Sequence, residues 1–235
     1  MNRKLATVAT AGLICAFVFL AVGFGLSGPD LANARYWWDG IQSTCGSTGS
    51  GKQQIVLPFN SDGRLSIDMP ASVRYQPGGK AEAVISGNSA LLDHVRLEDG
   101  KLSLDCNPGW SMSKVDVTLS GPLVTDWKVR GSGDLVLSQL DQDDLHLRIS
   151  GSGSVKAAGS ARSVDLDVSG SGTARLKDLA AQSVKIRIRG SGDAQVAAAA
   201  DADISISGSG NIELYGRPVL RRSEIRGSGR LVQVP

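Results

Sequence analysis

The chain has 235 residues, 41% of them hydrophobic but only 5% aromatic, with 25 bases against 23 acids and a net charge of +2. It is therefore long and apolar enough to fold around a core of aliphatic side chains. The near balance of charge provides no footprint for a nucleic-acid partner.

Met1-Asn2-Arg3-Lys4 is a positive start, followed by an uncharged run from Leu5 to Leu26. As a helix that run spans about 33 Å, enough to cross a bilayer. Residues 1–34 read as a transmembrane anchor with its positive end cytoplasmic, or as a signal peptide cleaved after Ala32-Asn33-Ala34. In both readings the body is exported, anchored facing the periplasm or exterior, or released as a periplasmic or secreted protein. Cys15 follows Ile14, which is not small, and this argues against lipidation. Residues 35–52 form a Gly-, Ser- and Thr-rich linker after Tyr36-Trp37-Trp38, aromatics suited to a membrane interface or to packing on the first strand. Gly46-Ser47-Thr48-Gly49-Ser50-Gly51-Lys52-Gln53 falls short of a phosphate-binding loop, because Gln53 stands where the magnesium-holding hydroxyl belongs and a strand follows. Cys45 and Cys106 are the cysteines of the exported part, and an even pair in an oxidising compartment predicts a disulfide.

Residues 53–122 read as an irregular β part of short strands and clear turns. Ile55-Val56-Leu57 precedes the turn Asn60-Ser61-Asp62-Gly63, and Leu65, Ile67 and Met69 alternate after it. Pro77-Gly78-Gly79 separates Val73 and Tyr75 from Ala81, Ala83 and Ile85. A short helical turn is expected between Asn88 and His94. Asp99-Gly100, between Val95/Leu97 and Leu102/Leu104, is the strongest hairpin signal. Val115, Val117 and Leu119 then lead into the first regular coil.

Residues 123–235 repeat. Gly-Ser-Gly begins at 131, 151, 170, 190, 208 and 227, at intervals of 20, 19, 20, 18 and 19 residues. Two and four residues before each triplet stand Val129/Trp127, Ile149/Leu147, Val168/Leu166, Ile188/Ile186, Ile206/Ile204 and Ile225/Ser223. Four and six residues after the first glycine stand Leu135/Leu137, Val155/Ala157, Ala174/Leu176, Ala194/Val196, Ile212/Leu214 and Leu231/Gln233. The apolar period is two on both flanks, so each repeat is strand, bend, strand and turn. A fixed period near 19 residues marks a solenoid, and the fold class expected is an all-β parallel β-helix preceded by an N-terminal hydrophobic helix. The corners are Gly131 and Gly133, Gly151 and Gly153, Gly170 and Gly172, Gly190 and Gly192, Gly208 and Gly210, and Gly227 and Gly229. Each corner needs either a positive φ or a close approach of stacked chains that a Cβ would obstruct. One outward column runs Asp126, His146, Asp165, Lys185, Asp203, Arg222, acid alternating with base, which favours the correct stacking register.

The chain resembles the auto-transporter adhesin head GIN domain family of bacteria over about residues 55 to 235. The resemblance lies in Leu65-Ser66-Ile67-Asp68-Met69-Pro70, Val84-Ile85-Ser86-Gly87-Asn88, Leu91-Leu92, Leu97-Glu98-Asp99-Gly100-Lys101-Leu102 and the Gly-Ser-Gly repeats. It implies an exported β-helical protein and brings no catalytic residues. Gly131-Ser132-Gly133-Asp134 and Gly190-Ser191-Gly192-Asp193 resemble half of a calcium-binding β-roll motif. The period is double that of such repeats, and the two aspartates lie three coils apart. His146, Arg148, Asp165, Asp167, Lys185 and Arg187 are the nearest approach to a polysaccharide-cleaving carboxylate cluster. That strip is already explained by the charge ladder, and the short inter-coil turns form no cleft. The expectation is a non-enzymatic, cofactor-free envelope module that presents a repetitive face to a glycan or protein. Lys128, Arg130, Arg148, Arg187 and Arg189 form a candidate surface for an anionic ligand. An alternative is self-assembly, with a second copy on the last coil.

Overall fold

The computed structural model describes Cys45, residues 51–107 and residues 114–235. The expected N-terminal helix, the segment 1–34 and nearly all of the 35–52 linker lie outside the described residues. Among the described residues, no helix is long and apolar enough to cross a membrane.

The repeats stack as a parallel β-solenoid. β7 (Asp126–Gly131) leads through the first triplet into β8 (Asp134–Gly151), followed by β9 (Ser154–Gly170) and β10 (Thr173–Gly190). The later coils break into β11 (Asp193–Ala197), β12 (Asp201–Gly208), β13 (Asn211–Tyr215), β14 (Val219–Gly227) and β15 (Arg230–Val234). Every neighbouring pair in this series runs parallel, which excludes a hairpin meander. The register brings first glycine onto first glycine throughout, Gly131 to Gly151 and so on to Gly227. Segments ending at a triplet build a first sheet, and segments after it build a second. The long strands bend between the two, in β8 at Gln139, which has φ of 54°.

The apolar rows face inward as the period of two requires. Val129, Ile149, Val168, Ile188 and Ile206 are each at most 1% exposed, as are Leu135, Val155, Ala174, Ala194 and Ile212. Burying one such branched side chain contributes about 1.5–3 kcal/mol, so a thin core is viable once several coils are stacked.

Residues 64–76 form one more coil of the solenoid, ahead of the first Gly-Ser-Gly. β2 (Arg64–Ile67) pairs parallel with β7, Ile67 opposite Val129. The start of β3 (Ala71–Asn88) pairs parallel with β8, Val73 opposite Leu135 and Tyr75 opposite Leu137. Leu65, Ile67, Val73 and Tyr75 thus occupy the four inward columns, with Asp68-Met69-Pro70 as the corner. A Cβ on Gly133 would meet Met69 O at 3.3 Å, against 2.6 Å between a Cβ on Gly153 and Gly133 O. The chains are less tightly stacked at this corner, and larger residues fit.

Chain order is not spatial order here. β5 (Lys101–Leu104) lies parallel on the far side of β2, and β6 (Val115–Gly121) on the far side of the start of β3. After Gly78 and Gly79, β3 turns back and runs antiparallel along β6, so the limbs of this turn flank β6 instead of pairing with each other. β1 (Lys52–Pro58) and β4 (Val95–Glu98) add antiparallel strands outside. The β4–β5 hairpin turns at Asp99 and Gly100, both at positive φ, the geometry a tight two-residue turn requires. The short helix α1 (Ser89–Leu92), capped by Asn88 accepting from Ala90 N at 2.9 Å, buries Leu91 and Leu92. At the other end, Ile225 is 41% exposed, whereas Ile206, one coil inward, is 1%.

Candidate binding face

The outward columns of the first sheet carry the charge. Partner by partner, the predicted alternation is realised as Asp126, His146, Asp165, Lys185, Asp203, Arg222, and Arg64 extends it by one step beyond Asp126. All five candidate bases lie on this sheet. Arg130 binds Asp68 at 2.7 Å, and Arg187 binds Asp165 at 3.0 Å and Asp167 at 3.4 Å. Arg189 binds Asp167 at 3.1 Å, while Arg148 reaches Asp126 only at 3.8 Å. Lys128 has no ion pair among the described residues. The strip is therefore largely neutralised from within. Its exception is the step from Lys128 to Arg148, register partners in adjacent strands, where base stacks on base. No other step on this sheet places like charges side by side among the described residues.

Asp68 is a residue that sequence reasoning missed. It accepts from Ser66 at 2.7 Å, from Arg130 at 2.7 Å, and lies 3.4 Å from Lys101. These partners belong to three stacked layers, so one carboxylate bridges the outer strand, its own coil and the next. Burial alone would raise its pKa, but the hydrogen bonds from Ser66, Arg130 and Lys101 and the charge of Arg130 outweigh that and hold it below the ordinary carboxylate value. The signal lay in the inward columns: once Leu65 and Ile67 are aligned with Trp127 and Val129, Asp68 falls beside Arg130.

The corner glycines divide between the two expected causes. Every first glycine has positive φ, from 78° at Gly131 to 130° at Gly208. Second glycines such as Gly192 have ordinary φ but no room, since a Cβ there would lie 2.6 Å from Gly172 O and 2.6 Å from Val168 Cγ1. Cys45 and Cys106 form a disulfide with a Cα separation of 5.2 Å. His94 and Asp105 bring donor atoms within 4.8 Å of Cys106 Sγ, but that sulfur is spent in the disulfide, and Asp105 is bonded to His94 and Arg96 at 2.6 Å each. The carboxylates of the sequence-level catalytic strip, Asp165 and Asp167, are both held by guanidinium groups on an open sheet.

The fold has solved counterparts. It is similar to a putative adhesin from Bacteroides fragilis at a TM-score of 0.63 and 20% identity, over 79% of this chain and 98% of that one. It is also similar to a putative lipid binding protein from Parabacteroides distasonis at a TM-score of 0.52 and 17% identity, over 80% and 98%. At such identities the likeness is one of fold alone. No curated protein matches the chain. Residues 63–218 match the model of the family described as "Putative auto-transporter adhesin, head GIN domain", a match that includes the coil at 64–76, and the chain belongs to that family.

Proposed function

We propose that the protein is a non-enzymatic, adhesin-like module of the cell envelope that holds an anionic glycan or acidic protein segment against the first sheet. The observation that carries this reading is the stacked Lys128–Arg148 pair. Stacked like charges destabilise the native pairing, and an anion placed between them reverses the sign of that interaction. Family membership supports the adhesin-like class. The test is retention of the exported chain on an acidic glycan resin such as polygalacturonate. Retention is expected to fall steeply with salt and to weaken in Lys128→Gln and Arg148→Gln, while Arg187→Gln, whose base is already paired, has less effect. Retention that is indifferent to salt and to all three substitutions overturns the reading.

A second reading, self-association, is favoured by the exposed Val219, Leu220 and Ile225 on the edge strand β14. Its mark is a mass that rises with protein concentration in light scattering.

A further inference from the structure

The second sheet carries a groove of about 400 Å³ that the charge ladder does not involve. Two adjacent outward columns meet there. One runs Thr173, Asp193, Asn211, Arg230, and the other Arg175, Gln195, Glu213, Val232. Asp193 Oδ1 accepts from both the backbone N–H and the side-chain amide of Asn211 at 3.0 Å. Glu213 Oε2 accepts from the Gln195 amide at 2.9 Å and from the Tyr215 hydroxyl at 3.0 Å. Each carboxylate is thus fixed through one oxygen, leaving its other oxygen as an oriented acceptor. Arg175 and Arg230 flank this row, and neither has an ion pair among the described residues. They lie three strand spacings apart, about 14 Å.

We propose that this groove binds an uncharged, hydroxyl-rich sugar chain laid across the strands. The argument is one of matching. The lining offers fixed acceptors between two guanidinium groups that make no ion pair among the described residues, although Arg175 lies close enough to Asp134 to help lower that carboxyl's pKa. A sugar hydroxyl both donates and accepts. Two acids against two bases leave no net charge to attract a polyanion. The acceptors are positioned before the ligand arrives, so little ordering is required on binding. Among the described residues no aromatic ring lines the groove and Val232 is its exposed large apolar side chain, so recognition rests mainly on hydrogen bonds. This inference rests on the reading of the protein as a binding module, but it uses the opposite sheet and a different ligand chemistry.

The experiment titrates the exported chain with neutral tetrasaccharides of glucose and of N-acetylglucosamine, and with tetragalacturonate, by calorimetry at low salt and at roughly 0.5 M. A neutral tetramer is expected to bind with salt-independent affinity. That affinity should weaken at least about tenfold in Arg175→Met and in Glu213→Gln, without change in the melting midpoint and without response to Lys128→Gln or Arg148→Gln. Absence of neutral-sugar binding, or binding that ignores Arg175 and Glu213, overturns the groove assignment. If tetragalacturonate alone binds and is lost in Lys128→Gln, the first-sheet reading stands and this one falls. If no sugar binds, the groove assignment falls.

Discussion

Gly190 and Gly192 flank one serine, yet they are glycine for different reasons, and substitution separates them. Gly190 has φ of 119°, and a Cβ there would also lie 2.5 Å from Gly170 O. Gly190→Ala combines backbone strain with overlap and is expected to cost about 3 kcal/mol. Gly192→Ala meets only the overlap and is expected to cost about 2 kcal/mol. Gly51→Ala, with nothing within 4 Å of the new Cβ, should leave the unfolding midpoint in urea unchanged. Asp68 makes a pH-dependent prediction. Its folded-state pKa is lowered, so its stabilisation is complete above the unfolded carboxylate value near about 4 and is lost as pH falls through the lower folded value. Because Arg130 and Lys101 are half-exposed, Asp68→Asn should cost only about 1 kcal/mol at neutral pH. The gap between variant and wild type should narrow when urea unfolding is repeated near pH 3.

Among the elements, the disulfide joins Cys45 to the outermost layer, beside β5, across a sequence separation of 61 residues. Reduction is expected to lower stability by up to roughly 4 kcal/mol on the chain-entropy model, read as a fall in the urea midpoint with added dithiol. The repeating strands were legible from sequence because Gly-Ser-Gly and the two-residue apolar alternation recur with every coil. The coil at 64–76 was hidden because Asp68-Met69-Pro70 lacks the glycines, although Leu65, Ile67, Val73 and Tyr75 kept the column pattern. The Pro77-Gly78-Gly79 turn was visible, but β6 between its limbs was not, since pairing across tens of residues leaves no local trace. The charge columns could be written down from spacing alone. That Arg130 is occupied could not, because its partner Asp68 lies 62 residues away in a coil without the Gly-Ser-Gly mark. The groove leaves no mark in the sequence because its polar residues share no motif, only adjacent strands.

At the scale of the molecule, the two ends differ in construction. At one, Phe59, Leu91, Leu92 and Val95 close the core beneath antiparallel strands. At the other, the inward columns turn partly polar, with Ser223 and Gln233 in places that hold Leu, Ile or Val in most coils. Gln233 spends its amide on Gly216 O at 3.3 Å. In a solenoid each unit contacts only its neighbours, so stability is close to a sum of units and their interfaces. Chains shortened to end at Tyr215 or at Ala197 should therefore remain folded, with urea midpoints that decline in steps. Chains that begin at Leu123 should lose cooperative unfolding, because they lack the layer that covers Trp127 and Val129.

The placement of residues 64–76 between β5 and β6 on one side and the first regular coil on the other gives growth of the fold a direction. The chain must return across its own earlier segment before Asp126 can be laid down, so the foundation is complete only when Gly121 has been synthesised. From there each new turn finds a finished template beneath it. A nascent chain halted before that point holds open edges along β2 and the start of β3, where a chaperone or a strand of another chain would bind.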